Sequence, residues 1–258
     1  MRKLALTLSA LALSAAMASA EEIKVGVSVG EHAEIMEQVA KVAKDKGLDI
    51  DIVEFTDYVV PNQALNDGDL QANSFQHQPY LDQQIKDRGF DLVAIGKTIT
   101  TPMGVYSAKL KSLDELPEGG KVALPNDPTN GGRALLLLQD KGVIKLAEGV
   151  GLTPTPLDVT ENARNLKFLE LDAAQLPRAL QDADVAIINT NYALEAGLNP
   201  EKDAIAIEAA ESPYANIIVV RTADKDAPWA KTLVESYHSD AVKKYIQDKY
   251  TGAVIPAW

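Results

Sequence analysis

The 258-residue chain is 46% apolar, enough to bury one large core or two moderate ones. Its formal charge is −12, which argues against nucleic acid and anionic membranes as partners. It has no cysteine, so disulfides and thiolate chemistry are excluded.

The chain opens as a targeting segment. Arg2 and Lys3 are a basic start, residues 4–13 an apolar stretch, and Ala18-Ser19-Ala20 a small-residue cleavage site. The stretch is too short and too rich in Ala and Ser to span a membrane. Residues 1–20 therefore read as a signal peptide, with Glu21 as the mature N-terminus. Cleavage takes Lys+Arg from 25 to 23 against 37 acids, which moves the charge to −14.

Residues 23–27 alternate as a strand, Ser28-Val29-Gly30 turns, and 31–46 carries Ile35, Met36, Val39, Ala40, Val42 and Ala43 at helical spacing, stopped by Gly47. Residues 48–55 alternate again; 61–66 is a short helix, 69–75 a strand, 79–88 a helix and 92–96 a strand. This β-α-β rhythm predicts a largely parallel sheet. Residues 100–106, which contain Pro102 and Gly104, break the rhythm as a crossing linker would. A second series follows, with strands at 121–124, 155–159, 168–171, 184–188, 205–207 and 217–220. Its helices are 130–141, 173–182 with Pro177 near the first turn, 191–196, and 227–250 with a break near Ser239. The order predicts two α/β lobes, the second inserted into the first: 21–101 plus 221–258, and 102–220 including both crossings, the return lying near 212–220. Ligand would sit in the cleft between them, at strand carboxyl ends and helix N-termini.

The richest stretch is residues 71–81. Phe75, His77 and Tyr80 offer flat, weakly polar surface there, and Asn73, Gln76 and Gln78 offer directional donors and acceptors. None of these is a strong nucleophile or base, so the set suits holding a small molecule better than breaking its bonds. Residues 57–65 repeat the theme, with Tyr58 ahead of a proline-started helix. In Asn126-Asp127-Pro128-Thr129-Asn130-Gly131-Gly132-Arg133, a strand leads into an apolar helix whose first turn holds an arginine against the helix dipole. Arg133 either grips a carboxylate from the cleft or pairs with one of many nearby acids. Asn189 ends one strand and Asn216 starts another, beside the return crossing.

Gly26-Val27-Ser28-Val29-Gly30 matches the nucleophile elbow of a secreted serine hydrolase, which makes Ser28 the competing reading. No earlier strand-loop exists to supply an oxyanion hole, and His32, His77 and His238 have no obvious acidic partner in sequence. His32-Ala33-Glu34 reads as a surface pattern. Three histidines are too few for a converging metal site, and no phosphate-binding loop is present. No metal or other cofactor is expected.

Taken together, F-Q-H-Q-P-Y-L, N-D-P-T-N-G-G-R-A-L, I-N-T-N-Y-A and S-P-Y-A-N-I-I-V-V-R resemble the NlpA family, the methionine-binding substrate-binding proteins of bacterial ABC importers. The resemblance runs from V-G-V-S-V-G-E-H-A-E-I-M to the terminal helix. It implies a two-lobed type II periplasmic binding fold, with mixed sheets flanked by helices, that closes on L- or D-methionine, a close small amino acid or a methionine-containing peptide. It implies a non-enzymatic monomer whose partners are a membrane permease and its ATPase. By the same analogy Arg133 takes the ligand carboxylate, Asn189 and Asn216 its amino and carboxylate groups, and Tyr58, Phe75, His77 and Tyr80 wall the thioether, with Asn73, Gln76 and Asn191 behind them. One departure stands out: many members carry a lipidated cysteine after the signal, whereas here Ala20 is followed by Glu21. The expectation is a soluble periplasmic protein.

Overall fold

A computed structural model describes residues 21–209 and 213–258; the signal-peptide expectation, and Ser212 of the return crossing, lie outside them. In chain order the first half comprises β1 (Glu21–Ser28), α1 (Glu31–Asp45), β2 (Leu48–Phe55), α2 (Val60–Asp67), β3 (Ala72–His77), α3 (Gln78–Arg88), β4 (Leu92–Lys97), β5 (Ile99–Thr100), β6 (Gly104–Tyr106), β7 (Lys121–Pro125) and α4 (Pro128–Asp140). There follow β8 (Lys145–Leu146), β9 (Val159–Glu161), β10 (Lys167–Leu171), α5 (Leu176–Ala179), β11 (Val185–Ile188), α6 (Thr190–Glu195), α7 (Pro200–Asp203), β12 (Ala206–Ile207), β13 (Asn216–Arg221), α8 (Pro228–Tyr237), α9 (Asp240–Tyr250) and β14 (Ile255–Pro256).

Two five-stranded sheets define two lobes. The first runs β2-β1-β3-β13-β4 and the second β10-β7-β11-β6-β12. The strict alternation of β1 and β2 locks them in parallel register along all eight residues, Glu21 opposite Leu48 through Ser28 opposite Phe55. Ile35, Met36 and Val39 of α1 pack on this sheet, joined by Leu233 and Tyr237 of α8 and Ile246 of α9. The second sheet has its own core, with Leu135 and Leu138 of α4 against Val122, Leu124, Val185 and Ile187. Each lobe therefore carries its own buried face, and the cleft lies between them.

The sheets are mixed, which corrects the largely parallel expectation drawn from the β-α-β rhythm. β13 is antiparallel to both β3 and β4, and β6 is antiparallel to β11 and β12. Each of the two odd strands enters its sheet from a crossing, and among the described residues of those crossings there is no helix that would turn the chain around. The return crossing also ends earlier than expected. Residues 216–220 belong to the first sheet, because β13 fills the slot between β3 and β4 with five buried residues. The two crossings touch: the Glu208 amide donates to the Met103 carbonyl at 2.9 Å.

Two local expectations fail at prolines. Residues 155–158 form a capped turn started by Pro156, with Thr155 and Asp158 bonded reciprocally, and the strand begins only at Val159. Residues 173–182 shrink to a tight turn and the four-residue α5, whose first turn holds Pro177. The break at Ser239 is present, and its side chain caps α9 through the Val242 amide.

Candidate functional site

The cleft closes on a narrow cavity whose free volume is only about 20 Å³. All seven residues singled out in the sequence, Tyr58, Phe75, His77, Tyr80, Arg133, Asn189 and Asn216, line it. Six of them arrive on or beside regular elements, and Tyr58 comes from the loop between β2 and α2. Phe75 and His77 lie on β3, Tyr80 in the first turn of α3, Arg133 in the first turns of α4, Asn189 at the start of α6 and Asn216 at the start of β13.

One wall is aromatic. The Tyr58 and Phe75 ring centroids are 6.0 Å apart, and Phe75 and Tyr80 meet edge-on at 6.0 Å. Tyr192 of the other lobe, outside the cavity lining, packs on Tyr58 with ring centroids 5.1 Å apart. Such ring edges suit a polarisable apolar side chain. Behind Gln76, amides hold the base of the wall: Asn62 donates to Gln76 Oε1 at 2.8 Å, while Gln76 Nε2 donates to Asn62 Oδ1 at 2.6 Å and to Asn73 Oδ1 at 3.0 Å.

The opposite wall is polar. His77 caps α3, its Nδ1 accepting the Tyr80 amide at 3.1 Å. The proton of the neutral ring therefore sits on Nε2, which faces Asn130 Oδ1 at 3.3 Å. The same oxygen accepts from Asn189 Nδ2 at 2.9 Å, and Asn130 Nδ2 donates to the capping carboxylate of Asp127 at 2.9 Å. Asn130 is thus a node joining the lobes. Two more bonds cross the cleft, Tyr58 Oη to Asn191 Oδ1 at 2.5 Å and Tyr192 Oη to the Thr56 carbonyl at 3.1 Å.

Arg133 is 3% exposed, and of the two readings the sequence left open the pairing with an acid is the one observed. It lines the cavity, and it is paired with Glu208: Nε donates to Oε1 at 3.0 Å, and Nη2 contacts Oε2 and donates to the Thr101 carbonyl at 3.0 Å. The Tyr214 ring lies over the guanidinium, 4.5 Å from its centre.

Burial keeps the remaining groups neutral. Desolvation, helped by the Arg133 charge, lowers His77 to about 3, and desolvation alone lowers His32 to about 4. Burial raises the Tyr58 and Tyr80 hydroxyls, and it pushes Tyr214 up to about 12 against the opposing pull of Arg133. Inside this wall Asn189 Oδ1 and Asn191 Nδ2 have no hydrogen-bond partner among the described residues: one free acceptor and one free donor.

Four contributors escaped the sequence reading. His32 is buried at 3% rather than on the surface, because the first turn of α1 packs into the lobe; it lines the cavity with Asn216 Nδ2 3.3 Å from its Nε2. Thr101 and Asn130 line it as well, and Glu208 stands behind Arg133. A signal existed for Asn130, which lies inside the N-D-P-T-N-G-G-R motif. Ser28 is 1% exposed, does not line the cavity, and has no hydrogen bond from its Oγ to a histidine among the described residues.

The profile of the NlpA lipoprotein family matches residues 23–258. The chain is 56% identical over 239 residues to the D-methionine-binding lipoprotein MetQ of Escherichia coli K12, covering 92% of this chain and 88% of that protein. Among solved structures it is similar to a nutrient binding protein from Burkholderia cenocepacia bound to methionine. That match has a TM-score of 0.90 and 56% identity, covering 92% of this chain and all of that one. A crystal structure of the methionine binding protein MetQ matches at a TM-score of 0.89 and 56% identity, covering 92% and 98% of the two chains.

Proposed function

The chain belongs to the NlpA lipoprotein family, and from that premise we propose that it captures methionine in its cleft and delivers it to an ABC importer. One observation carries the reading. The cavity joins an aromatic wall to a polar wall holding a buried guanidinium, a free amide acceptor and a free amide donor, with neutral imidazoles and hydroxyls between them. An amino-acid zwitterion is complementary to that set. Its carboxylate pairs with Arg133 and the Asn191 amide, its ammonium donates to Asn189 Oδ1, and Asn216 shares the main-chain end. A thioether lies against Tyr58, Phe75, His77 and Tyr80.

The division of labour follows from the two lobes. Residues 21–101 with 216–258 supply the aromatic wall, and residues 102–215 supply the cation and the amides of α4 and α6. Only the closed form brings the two sets together, so ligand binds that form better and shifts the population toward it. The closed lobes then present a joint surface to a permease, whose ATPase drives import. In this reading the protein works as a monomer in the periplasm and acts by holding and handing over its ligand.

Calorimetric titration of L- and D-methionine into protein unfolded and refolded to strip bound ligand tests this reading. Saturable one-to-one binding at micromolar methionine is expected. No heat with either enantiomer, from protein with a cooperative thermal transition, would reject it.

A further inference from the structure

Amino-acid capture does not by itself require Glu208, yet this carboxylate is the main partner of the guanidinium. A guanidinium has five N–H donors. Nε and Nη2 carry three of them, spent on Glu208 Oε1, Glu208 Oε2 and the Thr101 carbonyl. The remaining pair, on Nη1, has no hydrogen bond among the described residues. Glu208 meanwhile lies outside the cavity that Arg133 lines. It lines a separate outer hollow with Leu136, Leu152, Pro213 and Tyr214, and it is not part of the inner cavity wall. Both its oxygens are anchored, since Oε2 also accepts the Met103 amide at 3.2 Å. It is therefore built into the wall rather than standing in for a ligand carboxylate.

Its location adds a second consequence. Thr101 and Met103 belong to the outgoing crossing and Glu208 to the return crossing, and the Glu208 amide donates to the Met103 carbonyl. Arg133 stands in the first turns of α4, in the inserted lobe. The Arg133–Glu208 pair thus ties the guanidinium to both crossing segments.

We infer that Glu208 is a positioning residue for ligand recognition: it holds the Arg133 fork by its outer edge, so that only Nη1 faces the cavity, and it couples capture of a carboxylate there to the two hinge segments. The inference rests on reading the cavity as an amino-acid site. A ligand lacking an α-carboxylate gains nothing from this arrangement, so Glu208 contributes to discrimination and not to general stickiness of the pocket.

The test is a thermodynamic cycle read by calorimetry with L-methionine and L-methioninamide, using the full mature chain. Glu208→Ala is expected to weaken methionine by about tenfold or more and methioninamide by less than about threefold, so that the preference for the carboxylate collapses. In an Arg133→Ala background the same substitution is expected to change methionine affinity by less than about twofold. Glu208→Gln, which keeps the shape and one acceptor, is expected to fall between wild type and Glu208→Ala; if the alanine variant lacks a cooperative thermal transition, the glutamine variant carries the cycle. Unchanged or tighter methionine binding in the variants, or equal losses for both ligands, or an equal loss with and without Arg133, overturns the inference. Wild-type protein that binds neither ligand overturns the functional reading instead; wild-type binding with silent Glu208 variants overturns only this one.

Discussion

Removing one oxygen atom isolates the latch between the lobes. In Tyr58→Phe the ring stays, and with it the contacts to Phe75, Tyr80 and Tyr192 at centroid distances of 6.0, 6.3 and 5.1 Å. The Tyr58 carbonyl still accepts the Tyr80 hydroxyl at 2.9 Å. What disappears is the hydroxyl that donates across the cleft to Asn191 Oδ1 at 2.5 Å. Asn191 is 4% exposed, so in the closed form its carbonyl oxygen loses its partner without gaining water. In the open form the same oxygen is hydrated. The substitution therefore penalises closure, not the fold of either lobe. Leaving a buried acceptor unpaired costs about 1–3 kcal/mol. At about 1.4 kcal/mol per decade, that is a loss of roughly 5- to 150-fold in methionine affinity.

The loss has a kinetic signature. A latch made after encounter slows escape more than it speeds entry, so most of the change belongs in the dissociation rate. Stopped-flow displacement with calorimetry reads both quantities. Tyr80→Phe is the control, because its hydroxyl bonds within the same lobe; its dissociation rate is expected to change less than that of Tyr58→Phe. A Tyr58→Phe protein whose affinity stays within about twofold of wild type, or whose loss resides wholly in the association rate, would refute the latch.

The buried titratable groups predict a stability maximum near pH 6.5. His77 and His32 fold with values near 3 and 4 against an ordinary 6.5, so the unfolded chain takes up protons first and stability falls as pH drops below 6.5. Glu31 has the opposite sign: burial raises it from 4.5 to about 8, so its contribution is complete below 4.5 and is lost as pH rises toward 8. Each group has a slope of about 1.4 kcal/mol per pH unit inside its window. Urea unfolding from pH 5 to 8 is expected to show the maximum, His77→Gln to flatten the acid limb and Glu31→Gln the limb above 6.5; a wild-type profile flat across that range would contradict the assignment. Gly132→Ala places a methyl carbon 2.6 Å from the Leu152 carbonyl oxygen and 2.8 Å from Thr153 Cα, backbone atoms that cannot swing aside. Overpacking of this kind costs about 1–3 kcal/mol, or roughly 2–12 °C in Tm for a chain of this size, read by circular dichroism. An unchanged Tm would mean that α4 is not held against residues 152–154 as described.

What could be read in advance divides along the range of the interactions concerned. β2 was legible to the residue because Leu48, Ile50 and Ile52 alternate with Asp49 and Asp51, and alternation is a local signal. The aromatic wall was legible for a similar reason: Phe75, His77 and Tyr80 lie within six residues, and their grouping is visible without a fold. The reversed direction of β13 was not, since Ile217–Val220 is the same apolar run whichever way it enters the sheet. Only the pairing of β13 with β3 and β4, which the return crossing brings together, sets that direction. Glu208 is the extreme case. Its partner is 75 residues away, the surrounding Ile205, Ala206, Ile207 and Ala209 form a bland apolar stretch, and an isolated acid there reads as a solvated strand end. Its importance comes entirely from two crossings meeting beside α4. The wall that touches the ligand can be written in short motifs, because its residues share a strand end and a helix start. The groups that make closure conditional must by their nature join parts distant in sequence, and they become visible only when both lobes are in place.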